Sequence, residues 1–150
     1  MPLQYKIGDL LESDCNIIAH QCNCYCIMGG GIARQIRLKY PEAYQADLET
    51  IRGDRSKLGT FSMGHNGTRI IYNLYGQYGY GSGLQTDYRA LEMALRAMRK
   101  DIWINYVNIW PEVGVPFGMG CGLAGGDWSI VEDIINNVFV DETIYAYKLG

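Results

Sequence analysis

The chain has 150 residues, 48% of them hydrophobic, with a net charge of −3 and an isoelectric point of about 5.3. That length fits one domain with a sizeable core, and the lack of any apolar run near about 18 residues excludes a membrane-spanning helix. The acidic balance argues against neutralising many nucleic-acid phosphates, so neither a membrane nor a nucleic acid is an expected partner.

The N-terminus lacks a basic-then-apolar leader, which makes a cytoplasmic setting the expectation. Five cysteines, an odd number, are expected as reduced thiols. Residues 3–7 alternate enough for a first strand, and 15–22 form a mostly apolar run of the buried kind. After Gly29-Gly30-Gly31, the residues Ile32, Ala33, Ile36 and Tyr40 recur at helical spacing, and Pro41 marks a break or bend. Residues 59–63 and 68–74 are short strand candidates. Between them Asn66-Gly67 suits a hairpin turn, a better account of Asn66-Gly67-Thr68 than glycosylation. Thr86 is placed to cap the next helix, where Tyr88, Leu91, Leu95 and Met98 form one apolar stripe. Arg96, Arg99 and Lys100 fall at its expected end and complement the helix dipole. Residues 102–109 read as a strand or an irregular crossover, interrupted by Pro111. Residues 113–117 are a strand whose Pro116 must avoid a ladder donor position. Asp127 opens a helix with Val131, Ile134, Ile135 and Val138 on one face, and 143–147 make a last strand. The alternation predicts a single α/β domain over 1–150, with a mixed, mostly parallel sheet covered by helices on both faces.

Two glycine-rich loops each follow a strand and precede a helix: residues 28–32 and 118–126. Such loops offer unpaired backbone N–H groups and the positive end of a helix dipole, with no side chain in the way, a combination that favours phosphate. Two of them in the same context point to a diphosphate. Neither matches G-x-x-x-x-G-K-[ST], so a Walker-type nucleotide hydrolase is not indicated. Gly120-x-Gly122-x-x-Gly125 does satisfy the dinucleotide pattern, but only 25 residues follow Gly125, too few for the rest of a Rossmann half.

The chain resembles the macrodomains, a family that binds ADP-ribose. The resemblance rests on Gly8-Asp9-Leu10, on Asn23 followed by Met28-Gly29-Gly30-Gly31-Ile32-Ala33, on Asn73-Leu74-Tyr75-Gly76-Gln77, and on Pro116 through Gly126-Asp127-Trp128. It covers essentially the whole chain. It implies a three-layer α/β/α fold with ADP-ribose, or a close derivative, across the carboxyl ends of the strands and no separate cofactor. By the same resemblance Asp9, beside Leu10, accepts from the adenine amino group and Asn23 contacts the distal ribose. Gly30, Gly31 and Ile32, with Gly120, Cys121, Gly122 and Leu123, wrap the pyrophosphate and distal ribose with main-chain donors. Where many macrodomains carry Val-Asn-Ala-Ala-Asn, this chain has Ile18-Ala19-His20-Gln21-Cys22-Asn23. With Asn-Leu-Tyr-Gly-Gln and the Ala124–Trp128 run, that looks most like the branch that hydrolyses ADP-ribose 1″-phosphate. A related branch releases ADP-ribose from protein with a lysine nucleophile, but here Gln77 and Ala124 stand near the positions of its lysine and acid.

Phosphomonoester hydrolysis needs an in-line water, charge stabilisation and proton handling. His20 and Asp127 are the candidates for the proton, and each has a plain alternative. Asp127 is an ideal N-cap before Trp128, and His20 is equally a satisfied core histidine. Cys121 sits where a helix N-terminus could activate a thiol, although the resemblance gives it a backbone role. His20, Cys22, Cys24 and Cys26 alternate, which in extended chain places them on one face as small buried hydrophobes rather than as a metal site. Tyr75 through Gly83 alternates aromatics with glycines, either a mobile cover over the ligand or a loop docked on the core; Gln77 is a polar contact by position. Three functions therefore stand: a phosphatase on ADP-ribose 1″-phosphate, a reader of free or protein-linked ADP-ribose, and a hydrolase on ADP-ribosylated protein that activates water.

Overall fold

Ile17, Ile18 and Ala19 are all fully buried, which explains why their stretch shows no polar alternation. They belong to β2 (Ile17–Cys22), a central strand of the computed structural model, which describes residues 2–150. The other strands are β1 (Leu3–Ile7), β3 (Phe61–His65), β4 (Ile70–Tyr75), β5 (Val113–Pro116) and β6 (Ile144–Lys148). The helices are α1 (Gly31–Lys39), α2 (Pro41–Leu48), α3 (Tyr88–Asn105) and α4 (Trp128–Val138). The sheet runs β1-β6-β5-β2-β4-β3; β3 pairs antiparallel with β4, and the other neighbours are parallel.

Helices cover both faces. Odd-numbered Ile17 and Ala19 point with Ile70, Tyr72 and Leu74 into a core closed by α3 and α4, while Ile18 and Ile71 point into a second core against α1 and α2. This is the three-layer arrangement expected. Val131, Ile134, Ile135 and Val138 of α4 are buried as their spacing requires, each contributing about 1.5–3 kcal/mol as an upper value. Asn66 closes the β3–β4 hairpin by accepting from the Thr68 and Arg69 N–H groups, and Gly67 takes φ +94°.

Three expectations change. Asp87, not Thr86, caps α3, its Oδ1 accepting from Ala90 N at 3.1 Å; Thr86 turns its hydroxyl to another loop, described below. Residues 102–109 are not a strand: Ile102 continues the Leu91–Leu95–Met98 stripe by one turn, so α3 runs on to Asn105 and ends in a 3-10 turn, Val107–Ile109. Arg96 and Arg99 consequently lie inside the helix, paired with Glu92 (3.0 Å) and Glu142 (2.7 Å), and its last turn carries no base.

Candidate functional site

In a parallel sheet the loops that leave the strands' carboxyl ends share one edge. The loops after β2, β4 and β5 here enclose a cavity of about 740 Å³, within the size range of small-molecule sites. No Asp, Glu, Lys or Arg lines it; its polar groups are main chain, amides, hydroxyls and the His20 imidazole.

Gly30, Gly31 and Ile32 line the cavity. Gly30 is the N-cap of α1 without a side-chain cap, and Gly31 has φ +55°. A Cβ on Gly30 would lie 2.8 Å from Cδ1 of Leu123, so the two glycine loops meet across the cavity mouth. Asn23 also lines the cavity, but its amide is spent on its own loop: Nδ2 donates to Ile27 O (2.8 Å) and Oδ1 accepts from Tyr25 N (2.9 Å). Asn23 shapes the loop that brings up the glycines.

The second loop contributes Gly120, Gly122 and Leu123 to the lining. Gly120, at φ +77°, carries a carbonyl that accepts from Gly126 N (2.9 Å) and from Thr86 Oγ1 (2.6 Å). Ala124 O accepts from Gln85 N (2.7 Å), which sews this loop to the one leaving β4. Cys121 lies outside the lining; its side chain packs on the α3/α4 core, and burial pushes its thiol up, away from a reactive thiolate.

Gln21 is the residue that the sequence did not single out. Its Nε2 donates to Gln77 Oε1 (2.9 Å) and Thr86 Oγ1 (2.9 Å), while Gln77 Nε2 donates to Gly79 O (2.8 Å). The carbonyls of Gly79 and Gly120 fix the polarity of the chain from both ends. The carboxamide fills the space where Cβ atoms on Gly76 and Gly120 would come within 2.6 and 2.9 Å of its Oε1. Gln77 thus lines the cavity with both ends of its amide engaged within the protein. A polar residue within an otherwise apolar strand was the available signal.

His20 points to the opposite face. It is 1% exposed, and burial pushes its pKa down to about 4. Asn73 donates through Nδ2 to Ala43 O (2.9 Å) and Ser62 Oγ (3.0 Å), so its Oδ1 accepts from His20 Nε2 at 2.8 Å and leaves Nδ1 unprotonated. The relay continues through Ser62 to Tyr75 (2.7 Å) and from Tyr75 to Asp47 Oδ1 (2.6 Å), a carboxyl raised by burial. Asp127 is not brought to His20. It is exposed, stands outside the cavity lining, and caps α4 through Ser129 N at 2.9 Å.

Asp9 is exposed beyond β1 and caps the 3-10 turn Leu10–Glu12 through Leu11 N at 2.9 Å; Leu10 itself is buried in the α1/α2 core. Phe117 lines the end of the cavity towards β1, its ring 5.9 Å from that of Tyr5. At the other end stands Tyr80, 56% exposed. Cys22, Cys24 and Cys26 are buried, and all five thiols are free.

No family model matches the chain. Curated relatives do. An uncharacterised 17.5 kDa protein of the tk-vs intergenic region of Enterobacteria phage T4 is 33% identical over 91% of this chain and 89% of its own. An ADP-ribose 1″-phosphate phosphatase of Debaryomyces hansenii is 30% identical over 89% of this chain and 92% of its own. A DNA ADP-ribosyl glycohydrolase of Mycobacterium tuberculosis is 29% identical over 99% of this chain, which spans only 43% of that protein. Among solved structures, the macrodomain of Mycobacterium tuberculosis DarG superposes with a TM-score of 0.78 at 23% identity, covering 99% of this chain and 98% of its own. That of Thermus aquaticus DarG gives 0.77 at 19% identity, covering 97% of each.

Proposed function

The chain belongs to the macrodomain family, and from that premise we propose that it binds ADP-ribose and hydrolyses ADP-ribose 1″-phosphate. The observation that carries the reading is the pair of glycine loops facing each other across one cavity, with an amide-lined floor. The diphosphate lies against the main chain of Gly120, Gly122 and Leu123, the Cys121 N–H being spent on Gly118 O (2.8 Å), and the distal ribose against residues 30–32, with adenine towards Asp9 and Phe117. A cytoplasmic setting suits the five free thiols.

For hydrolysis, water attacks phosphorus in line with the ribosyl oxygen and gives up a proton to a base, the P–O bond to the ribose breaks to release phosphate, and the C1″ oxygen takes up a proton to become the hydroxyl. The second loop supplies charge stabilisation through its amides. His20 is the imidazole of the lining, and the relay to Asp47 orients its bare Nδ1. A base whose pKa is about 4 is weak at neutral pH, so turnover is expected to be slow.

Calorimetric titration with ADP-ribose, with ADP and NAD as controls, followed by phosphate release from ADP-ribose 1″-phosphate, tests both halves. Selective binding with release that is lost in His20→Gln supports the phosphatase. The lining's want of a charged side chain favours a second reading, a reader of ADP-ribose marks without turnover, and binding without release selects it. Absence of binding rejects both.

A further inference from the structure

Val113 and Ile144 open the parallel strands β5 and β6, so they lie at the edge of the sheet opposite the glycine loops. Together with Ile102, Val107 and Phe139 they wall a second cavity, of about 130 Å³, on the scale that holds one aromatic ring. Its mouth carries an ion pair and an indole: Glu142 Oε1 accepts from Arg99 Nε (2.7 Å) and from Trp103 Nε1 (2.8 Å). Glu142 Oε2 is buried and has no hydrogen-bond partner among the described residues. A buried acceptor left unmatched is costly, which marks this corner as unfinished in a single chain.

Beside the cavity stands a projecting ring. Trp110, next to the lining residue Pro111, is 88% exposed. Its backbone is left-handed at φ +55°, a conformation that a bulky side chain keeps only where its surroundings impose it. Asn16 imposes it: its Nδ2 donates to Ile109 O (3.2 Å) and Trp110 O (3.3 Å), and its Oδ1 accepts from Glu112 N (2.8 Å). The indole N–H so presented has no partner among the described residues. Strain spent on an exposed ring adds nothing to this chain's own core, whereas a preorganised aromatic anchor is what an interface centres on.

Ring and cavity lie side by side on one face, and that adjacency selects the partner. A two-fold axis between them carries each ring onto the other chain's cavity, the self-complementary arrangement of an isologous dimer. The charges match as well. An indole has a negative face and a positive N–H edge, and the mouth offers the Arg99 guanidinium and the Glu142 carboxylate. We propose that this face pairs two copies of the chain, each Trp110 seated in the other copy's cavity between Arg99 and Glu142, with the carboxylate turning Oε2 to accept the indole N–H. The exposed side chains of Trp103 and Val107 supply apolar contact around it. The larger cavity, at the opposite edge of the sheet, stays open in both copies.

Sedimentation equilibrium from micromolar to submillimolar concentration tests this on wild type, Trp110→Ser, Val107→Glu and a control, Ile51→Ser, an exposed apolar position beyond α2 on the other face of the sheet. All three positions are exposed, so the packed core is untouched, and an unchanged circular dichroism spectrum checks that each variant is folded. The expected result is a wild-type dimer, kept in Ile51→Ser, whose dissociation constant rises about 30-fold or more in Trp110→Ser and in Val107→Glu. A wild-type monomer at every concentration overturns the proposal. So does a dimer that survives either substitution or is weakened equally by Ile51→Ser, because it pairs through another face. Open-ended oligomers also overturn it, since they need ring and receptor on separate faces.

Discussion

His20 shows how burial converts a single residue into a property of the whole stability curve. Its ordinary pKa is 6.5 and in the fold it is pushed down to about 4 by desolvation, which the hydrogen bond to Asn73 only partly opposes. As pH falls below 6.5 the unfolded chain takes up a proton that folded His20 refuses. Its contribution is therefore whole above pH 6.5 and lost as pH drops towards 4, by about 3 kcal/mol across the window. Asp47, raised by burial, acts in the opposite sense just above its ordinary 3.8, so the comparison needs a variant. Urea unfolding of wild type and His20→Gln at steps from pH 7 to 4 should show the acid slope in the first and a flatter profile in the second. Equal slopes would mean that another group carries the proton. Gln21 tells the complementary story. Its importance was invisible in sequence because its partners, Gln77 and Thr86, lie 56 and 65 residues away and meet it only once the loops have closed.

At the scale of elements, the glycines divide into those that let the chain fold and those that leave room for something else. Gly64 in β3 faces the α2 backbone, where a Cβ would come within 2.5 Å of Ala43 N. Gly122 in the second loop has nothing within 4 Å and no positive φ, yet it lines the cavity. Gly64→Ala should therefore lose stability by about 1–3 kcal/mol as α2 is forced off the sheet. Gly122→Ala should melt like wild type while its ADP-ribose affinity falls about tenfold, since the added methyl intrudes where the diphosphate lies. Thermal unfolding and titration on the same two proteins check this, and a Gly122→Ala protein that binds normally would remove that loop from the site.

The same distinction explains what could be read without a structure. Every strand was legible within two residues or so, because burial on both faces or hairpin chemistry leaves its mark locally, as in the Ile17–Ala19 run and at Asn66-Gly67. The glycine loops were legible because positive φ at Gly31 and Gly120, and the close approach of the two loops at Gly30, exclude side chains. Asp127 was legible only as a choice, because a helix cap and a proton-transfer group want the same carboxylate; the structure shows the cap, at Ser129 N, and sets the side chain outside the cavity lining. The end of α3 was obscured by Ile102, Ile104 and Val107, branched residues that suit either a strand or one more helical turn.

For the molecule as a whole, the sheet order sets an axis from Asp9 to Tyr80, along which the proposed ligand would lay adenosine, diphosphate and distal ribose in turn. Along that axis no Asp, Glu, Lys or Arg lines the cavity; cations stand outside it, on α1, at Arg52 and Arg55, and at Lys148, whose Nζ lies 5.0 Å over the Phe117 ring. Neutral dipoles are anchored by the backbone and held within a packed fold, so dissolved ions that gather around free ammonium and guanidinium groups have little to compete for there. Titrations in potassium chloride from roughly 50 to 500 mM should therefore leave the affinity for ADP-ribose nearly flat, even though the ligand carries negative charge. Ionic strength thus becomes a discriminator: it separates a ligand held by fixed neutral dipoles from one held by surface cations.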